Sequence, residues 1–270
     1  MTDYPFSYPT SIGKSDATSI TLLGHDLAGE LMGRVSFGEL AFWLVAMRRP
    51  EPGELRVFEA VLVALADHGF TPSAIAARLT LTGAPESVQG ALAAGLLGGG
   101  SRYLGVTEDC GRFLAAALAA QGEELPTDEA GWDVLAVAAV KAQRDAGRLV
   151  PGLGHPIHKD GDPRTPVLLR IASEEGLKGP HLTLFEAIGR THVVVIGRTL
   201  PLNGAGVCGA ALADLGFAPD ILRGFALLAR AAGLLGHLAE EMRNPAGSAI
   251  YRAADESIRY VPPDVPPARS

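Results

Sequence analysis

Eighteen residues from Gly147 to Arg164, GRLVPGLGHPIHKDGDPR, carry four glycines, three prolines, two histidines and three cations. His155, Lys159 and Arg164 on one rigid loop suit an anionic ligand with a reacting oxygen. The imidazole can exchange a proton with that oxygen while the cations take up negative charge. Gly152 and Gly154 permit the tight, positive-φ backbone that brings main-chain amides close to a ligand. Pro156 and Pro163 stiffen the turns, and Asp162 can accept hydrogen bonds from the local backbone. A polar connector between helices would use the same glycines and prolines, and residue types alone leave both readings open. His155-x-x-His158, with Asp160 and Asp162 close by, is an incomplete ligand set, so no metal is expected.

Outside that loop, His68 falls at a helix C-terminus, where the dipole favours a protonated imidazole. It can simply cap its helix or face a ligand. Arg230 has Ala226, Leu227, Gly233 and Leu234 as its neighbours at i±3 and i±4. A guanidinium on so apolar a face needs an anion or a carboxylate partner. His237 and Glu240, at i and i+3, can pair across one turn in a structural role. Gly98-Gly99-Gly100-Ser101 follows no strand and lacks a Lys-Ser/Thr pair, so it is not a phosphate loop. His25, His181 and His192 have no partner in sequence and read as surface or satisfied core residues. Cys110 and Cys208 make no metal spacing, and a disulfide framework is not expected.

The elements that must position these groups are helices. Ser36-Phe37-Gly38-Glu39 has the capping-box pattern before the apolar run Leu40–Met47. Pro52 opens a helix that stops at Asp67-His68-Gly69. Further starts are read at Thr71-Pro72, Pro85-Glu86, Thr107, Thr127, Thr165-Pro166 and Leu182, with the longest helix after Pro219, roughly Asp220–Arg243. The run Val193–Val195 is either the end of a helix or a buried strand, because periodicity does not separate these. Residues 1–24 read as irregular with a short strand at Ser19–Leu23, and the proline-rich tail from Val261 as extended. No repeat of solenoid length and no strand–helix alternation is present. The fold class is all-α. Glycines at 98–100 and within 201–206 are candidate hinges, or ordinary helix stops. As hinges they divide the chain into a large domain of 1–105 with 206–270 and a small domain of 106–205.

Composition bounds the partners. A net charge of −7 over 270 residues, 47% of them hydrophobic, argues against nucleic-acid binding, so an anionic ligand must be held by locally placed cations. The first sixteen residues lack the basic and apolar regions of a signal peptide. No uninterrupted apolar run reaches about 18 residues, so no membrane span is expected. A reduced, cytoplasmic setting follows as the expectation.

The run GLGHPIHKDGDPR resembles the Gly-x-Gly-His…Asp-Pro-Arg signature of the citrate synthase superfamily. GRLVPGLGH is most similar to the citryl-CoA-cleaving module of ATP-citrate lyases and to short citryl-CoA lyases. The likeness runs from TSIG at Thr10 to Tyr260, and APESVQGALAAGLLGGGSRYLG matches the short lyase-like proteins well. It implies a helical fold of large and small domains, acting on an acyl-CoA and a di- or tricarboxylate without a metal. By that resemblance His155 contacts the oxygen on the citryl carbon, and Arg164 binds a substrate carboxylate. Lys159, with Gly152 and Gly154, lies near the coenzyme A. His68, in ALADHG, binds a carboxylate of the four-carbon keto acid, and Arg230, in ARAAGLLGHLAEE, grips a carboxylate in bidentate fashion. Arg243 and the tail IYRAADESIRYV resemble the end of the lyase module, where an arginine reaches the neighbouring subunit's site. The implied assembly is therefore a homodimer or higher homo-oligomer.

The departures concern proton transfer. Citrate synthases carry Leu-His-Gly-Gly, whose histidine polarises the thioester carbonyl. The run here is Leu96-Leu97-Gly98-Gly99. The lyase module places its equivalent histidine eight residues after Ala-Asp-His, a position occupied here by Ala76. Its Asn-Val-Asp aspartate is replaced by Ala205 in Asn203-Gly204-Ala205. The expected activity is that of a citryl-CoA lyase-like enzyme, in which His155 takes the citryl hydroxyl proton and backbone amides of 98–100 or 204–206 stabilise the enolate. The alternatives are the same chemistry on another 3-hydroxyacyl-CoA, or acyl-CoA binding without catalysis.

Overall fold

The computed structural model describes residues 8–263. The readings made for residues 1–7 and for most of the proline-rich tail lie outside that range. The irregular stretch expected near the N-terminus holds a small antiparallel meander of β1 (Gly13–Ser15), β2 (Ile20–Leu22) and β3 (His25–Asp26). Gly13 lies opposite Leu22, and Thr21 opposite Asp26. A π-helical turn at Leu27–Leu31 follows, capped by Asp26, whose carboxylate accepts from the Gly29 amide. Every longer element is an α-helix, as the sequence predicts.

Local chemistry sets most helix starts. Ser36 accepts from the Glu39 amide at 3.1 Å and opens α1 (Phe37–Ala46). α2 runs Pro52–Ala66, and Thr71 caps α3 (Pro72–Gly83). Ser87 rather than Pro85 caps α4 (Val88–Leu97), because its hydroxyl reaches the Gly90 amide. α5 spans Val106–Gln121, and Asp128 rather than Thr127 caps α6 (Glu129–Asp145), accepting from the Gly131 amide. α7 is Arg164–Glu174 and α8 is Pro180–Ile196, so the valine run is helical. α9 (Gly204–Asp214) begins at the stretch read as a hinge. A 3-10 turn at Pro219–Ile221 leads into α10 (Leu222–Arg243), and α11 (Gly247–Ser257) closes the described chain.

The described residues form two compact units, 8–64 with 106–225, and 65–105 with 226–263. The division read from the glycine runs shares the boundary at 105/106. α9 packs on α5, α7 and α8, which keeps 206–225 in one unit with 106–205. In the first unit α6 packs on α8 and α5 on α9. Phe42, Phe58, Phe217 and Phe225 form an aromatic cluster with ring centroids 4.5 to 5.9 Å apart, mostly edge to face. In the second unit α3 packs on α4 and α11. Its core is Ala74, Ala77, Leu81 and Ala91 with Leu234 and Leu238.

The 25-residue stretch Pro219–Arg243 is long and apolar enough to cross a membrane by length and composition, which the count of apolar runs did not register. Its buried side chains include Leu222, Phe225, Ala226, Leu234 and Leu238, together with the charged Arg230, the pattern of a core helix.

α10 makes a close backbone approach within the second unit. A Cβ at Gly233 would run into the main-chain carbonyl of Ala66, whereas one at Gly236 would meet nothing within 4 Å. Gly233→Ala should therefore lower stability by about 1–3 kcal/mol through overpacking. Gly236→Ala should leave it unchanged or raise it by up to about 1 kcal/mol through helix propensity. Urea midpoints of the two variants check the contrast.

Candidate functional site

The loop between α6 and α7 has the backbone its glycines predict, with φ of +86° at Gly152 and +81° at Gly154. It is laced antiparallel to the segment before α9. Gly154 donates to Pro201 O at 2.7 Å, the Asn203 amide donates to Gly152 O at 2.9 Å, and Asn203 Nδ2 donates to Gly154 O at 2.8 Å. Leu153 and Leu202 form an isolated bridge. A Cβ at Gly152 would come within 2.6 Å of Phe185 and 2.9 Å of Cys110. The close approach there is therefore to the core, and the Gly154 amide is already engaged by the protein. Both cysteines are free and buried, and burial pushes the Cys208 thiol up to about 12. Neither serves as a nucleophile.

His155 is half-buried, and its ring lies 4.5 Å from that of His158, tilted by 34°. Its Nδ1 accepts from the amides of Ile157 at 3.1 Å and His158 at 3.0 Å. Two amide donors on Nδ1 assign the ring hydrogen of the neutral imidazole to Nε2. In this tautomer the ring offers a donor, and it accepts a proton at Nε2 only after releasing one. Lys159 is exposed on the same loop.

Asp162 fulfils the acceptor role expected of it and extends it. Its oxygens take hydrogen bonds from Arg164 N at 3.1 Å, Arg164 Nε at 3.0 Å, Arg164 Nη2 at 2.7 Å and the Gly204 amide at 2.7 Å. Burial alone would raise its pKa. The Arg164 guanidinium and the two amides outweigh that and hold the carboxyl well below the usual carboxylate range. Arg164 thus already has one carboxylate side-on, and its Nη1 donates to Ala64 O at 3.0 Å. At the start of α9, Asn203 accepts from Gly206 N at 2.8 Å while Gly204 N is held by Asp162. Of the amides expected to stabilise an enolate at 204–206, only that of Ala205 lacks a protein acceptor among the described residues. In the other segment, Gly98 and Gly99 donate to Ala94 O and Leu96 O.

Two histidines left unassigned by sequence are satisfied inside this unit. His192 is buried, with Nδ1 2.9 Å from Ile188 O and Nε2 accepting from Leu200 N at 2.8 Å, which steadies the approach to Pro201. His181 Nδ1 lies 2.8 Å from Asp214, whose carboxylate also takes three amides at the start of α8.

The second unit carries the other expected groups. His68, half-buried, follows α2 directly in a turn where Gly69 has φ +72°. Arg230 is buried as its apolar neighbours require, with Nη2 3.3 Å from Leu65 O and Nη1 3.4 Å from Thr71 Oγ1. Arg243 is exposed at the end of α10, Leu97 is exposed at the end of α4, and Ala76 lies in α3. His155, Lys159 and Arg164 therefore share one unit, and His68, Arg230 and Arg243 the other.

Arg78 went unread in the sequence. It is 1% exposed and meets the carboxylates of Glu240 and Glu241, the latter at 2.8 Å. Its Nε also donates to His237 Nδ1 at 3.1 Å. His237 and Glu240 are consequently joined through Arg78, which explains their spacing. Ala74, Ile75, Leu81 and Thr82 surround Arg78 at i±3 and i±4, the same signal that singled out Arg230.

The citrate synthase C-terminal domain profile matches residues 18–254. The structure of citryl-CoA lyase from Hydrogenobacter thermophilus superposes with a TM-score of 0.82 at 28% identity, covering 97% of each chain. The ATP citrate lyase of Methanosaeta concilii, in complex with (3S)-citryl-CoA, gives a TM-score of 0.78 at 23% identity over 97% of this chain and 42% of that one. A probable ATP-citrate synthase of Dictyostelium discoideum is 22% identical over 95% of this chain, which spans only 41% of its length.

The depressed Asp162 carboxyl has a consequence for acid stability. Its contribution is complete above the unfolded carboxyl value of about 4 and fades as pH falls below it, where the unfolded chain takes up a proton that the folded one refuses. Asp162→Asn should cost on the order of 2–4 kcal/mol near neutrality and reduce the loss of stability as pH falls from about 4 to about 2. Urea unfolding across that range, showing the same pH slope in both proteins, would exclude this account.

Proposed function

Because the chain belongs to the citrate synthase family, we propose that it is a citryl-CoA lyase, breaking citryl-CoA into acetyl-CoA and oxaloacetate or joining them in reverse. The observation that carries the reading is the likeness to the Hydrogenobacter lyase over 97% of both chains. In the cleavage direction the citryl hydroxyl gives up its proton to solvent water, and its oxygen becomes the keto oxygen of oxaloacetate. The electrons of the breaking carbon–carbon bond pass to the thioester as an enolate, which is then protonated on carbon.

His155 donates its Nε2 hydrogen to the oxygen that interconverts between alkoxide and ketone. The same hydrogen bond serves both directions, steadying the alkoxide in cleavage and polarising the keto group in condensation. Arg164, oriented by Asp162, and Arg230 bind carboxylates, and His68 contacts a carboxylate of the keto acid. Lys159 on the exposed rim of the loop suits the phosphates of coenzyme A, with Gly152 and Gly154 shaping the backbone beside it. With an alanine at 205, the Ala205 amide at the positive end of α9 supplies a donor but no proton-transfer group. The reading includes a cytoplasmic homodimer in which Arg243 reaches the partner's substrate.

A second reading, the same chemistry on another 3-hydroxyacyl-CoA or acyl-CoA binding without turnover, is favoured by Leu97, Ala76 and Ala205 at positions where the resemblance implies proton-transfer residues. Citryl-CoA turnover separates the two.

His155→Ala should reduce cleavage by about 10²–10⁴-fold while leaving coenzyme A affinity within a few-fold of the parent. Cleavage at the parent rate would remove His155 from the mechanism. Arg164→Leu and Arg230→Leu should each weaken oxaloacetate binding by about ten-fold or more in calorimetric titration. Sedimentation as a monomer would remove Arg243 from the site.

A further inference from the structure

The turn that carries His68 is anchored on both sides by one pair of residues. Asp67 Oδ1 lies 2.9 Å from His237 Nε2, and Asp67 Oδ2 accepts from the Gly69 amide at 2.8 Å. On the other side, the Arg78 guanidinium stands 4.7 Å over the Phe70 ring, and the His237 ring meets that ring edge-on at 5.7 Å. His237 Nδ1 accepts from Arg78, so its hydrogen is on Nε2 and points to Asp67. Asp67 is 46% and Phe70 54% exposed, yet each is held by a side chain from the interior.

Charge neutralisation does not require this arrangement. Glu240 and Glu241 already balance Arg78, and Glu241 also receives the Ala246 and Gly247 amides ahead of α11. The bond from His237 to Asp67 adds little burial, since Asp67 would otherwise be solvated. What it does fix is the backbone from 67 to 70, with His68 in the middle.

We propose that Arg78 and His237 are positioning residues for His68, locking the 67–70 turn so that the His68 imidazole is presented in one orientation. The proposal rests on the reading of His68 as a carboxylate contact. Interactions that hold a binding group in place act by preorganisation, and a displacement of about 1 Å can cost up to about 100-fold. His237 touches no ligand in this scheme. It passes the order of the buried Arg78–carboxylate cluster to a solvent-facing turn.

The test uses His237→Leu, which breaks the relay, and His237→Gln, whose amide can accept from Arg78 and donate to Asp67. Three quantities are read on the full chain: oxaloacetate affinity, coenzyme A affinity and hydrogen exchange at the amides of 67–70. His237→Leu should weaken oxaloacetate by about ten-fold or more, leave coenzyme A unchanged and speed exchange at Gly69 by about ten-fold. His237→Gln should restore most of each. Parent-like oxaloacetate binding and exchange in His237→Leu would overturn the proposal, as would a loss in both ligands alike, which marks a general structural effect. If the parent itself binds no oxaloacetate, the functional reading fails instead. The exchange measurement then still decides whether His237 orders the turn.

Discussion

A carboxylate nearly closed off from water must be fully hydrogen-bonded, and Asp162 meets that demand with four donors. The consequences spread through the first unit. The carboxylate joins the end of the α6–α7 loop to the first amide of α9, and it sets the guanidinium of Arg164 side-on. Gly204 lies directly against that guanidinium, where a Cβ would collide. Asn203 continues the lacing by holding both loop glycines and capping α9. His155 is thus displayed on a loop whose backbone bonds are met on one side by 201–204 and whose own amides fix its ring. Order of this kind, made by the protein's own hydrogen bonds, is the form of preorganisation that binding and catalysis exploit.

The second unit solves the same problem with the opposite charge. Arg78 and Arg230 both lie on apolar helix faces, and both are buried. Arg78 is met by two carboxylates and an imidazole, the arrangement of a group that holds the fold together. Arg230 hydrogen-bonds a hydroxyl and a carbonyl on either side of the His68 turn, at 3.4 and 3.3 Å. Charge-assisted contacts to carboxylates are normally shorter and stronger than these.

Much of this could be read from the residues, and the exceptions have physical causes. Ser36, Thr71 and the proline-led starts at Pro52 and Pro72 marked helices because a cap is local chemistry, decided within four residues. Thr127 and Pro85 misled by one to three positions because Asp128 and Ser87 are competing caps nearby. α9 was hidden by its composition. Gly204, Gly206 and Gly209 are poor helix formers, and they are present because the helix is pressed against Gly152, Phe185 and the Thr107 carbonyl. That is a tertiary reason, invisible from spacing. The tautomer of His155 was equally hidden, since it depends on which backbone amides face the ring. Arg78 is different: its helical neighbours gave the same warning as those of Arg230, so it was legible and simply unread.

The retained groups and the replaced ones divide along a physical line. His155, Arg164 and Arg230, to which the proposed reading gives the citryl oxygen and the carboxylates, are held in defined hydrogen-bond networks. The positions at which the resemblance implies proton-transfer groups hold an alanine in α3, an exposed leucine at the end of α4 and an alanine at the start of α9. A general acid–base group typically contributes about 10²–10⁴-fold, whereas oriented donors and bound charge act whether or not a proton moves. Carbon–carbon cleavage needs the citryl oxygen handled first and the enolate protonated second. The second step can draw its proton from water, while the first requires a positioned partner. Under the citryl-CoA reading, a His155 donor fixed in one tautomer steadies the alkoxide, which water does least well, and the later proton comes from solvent.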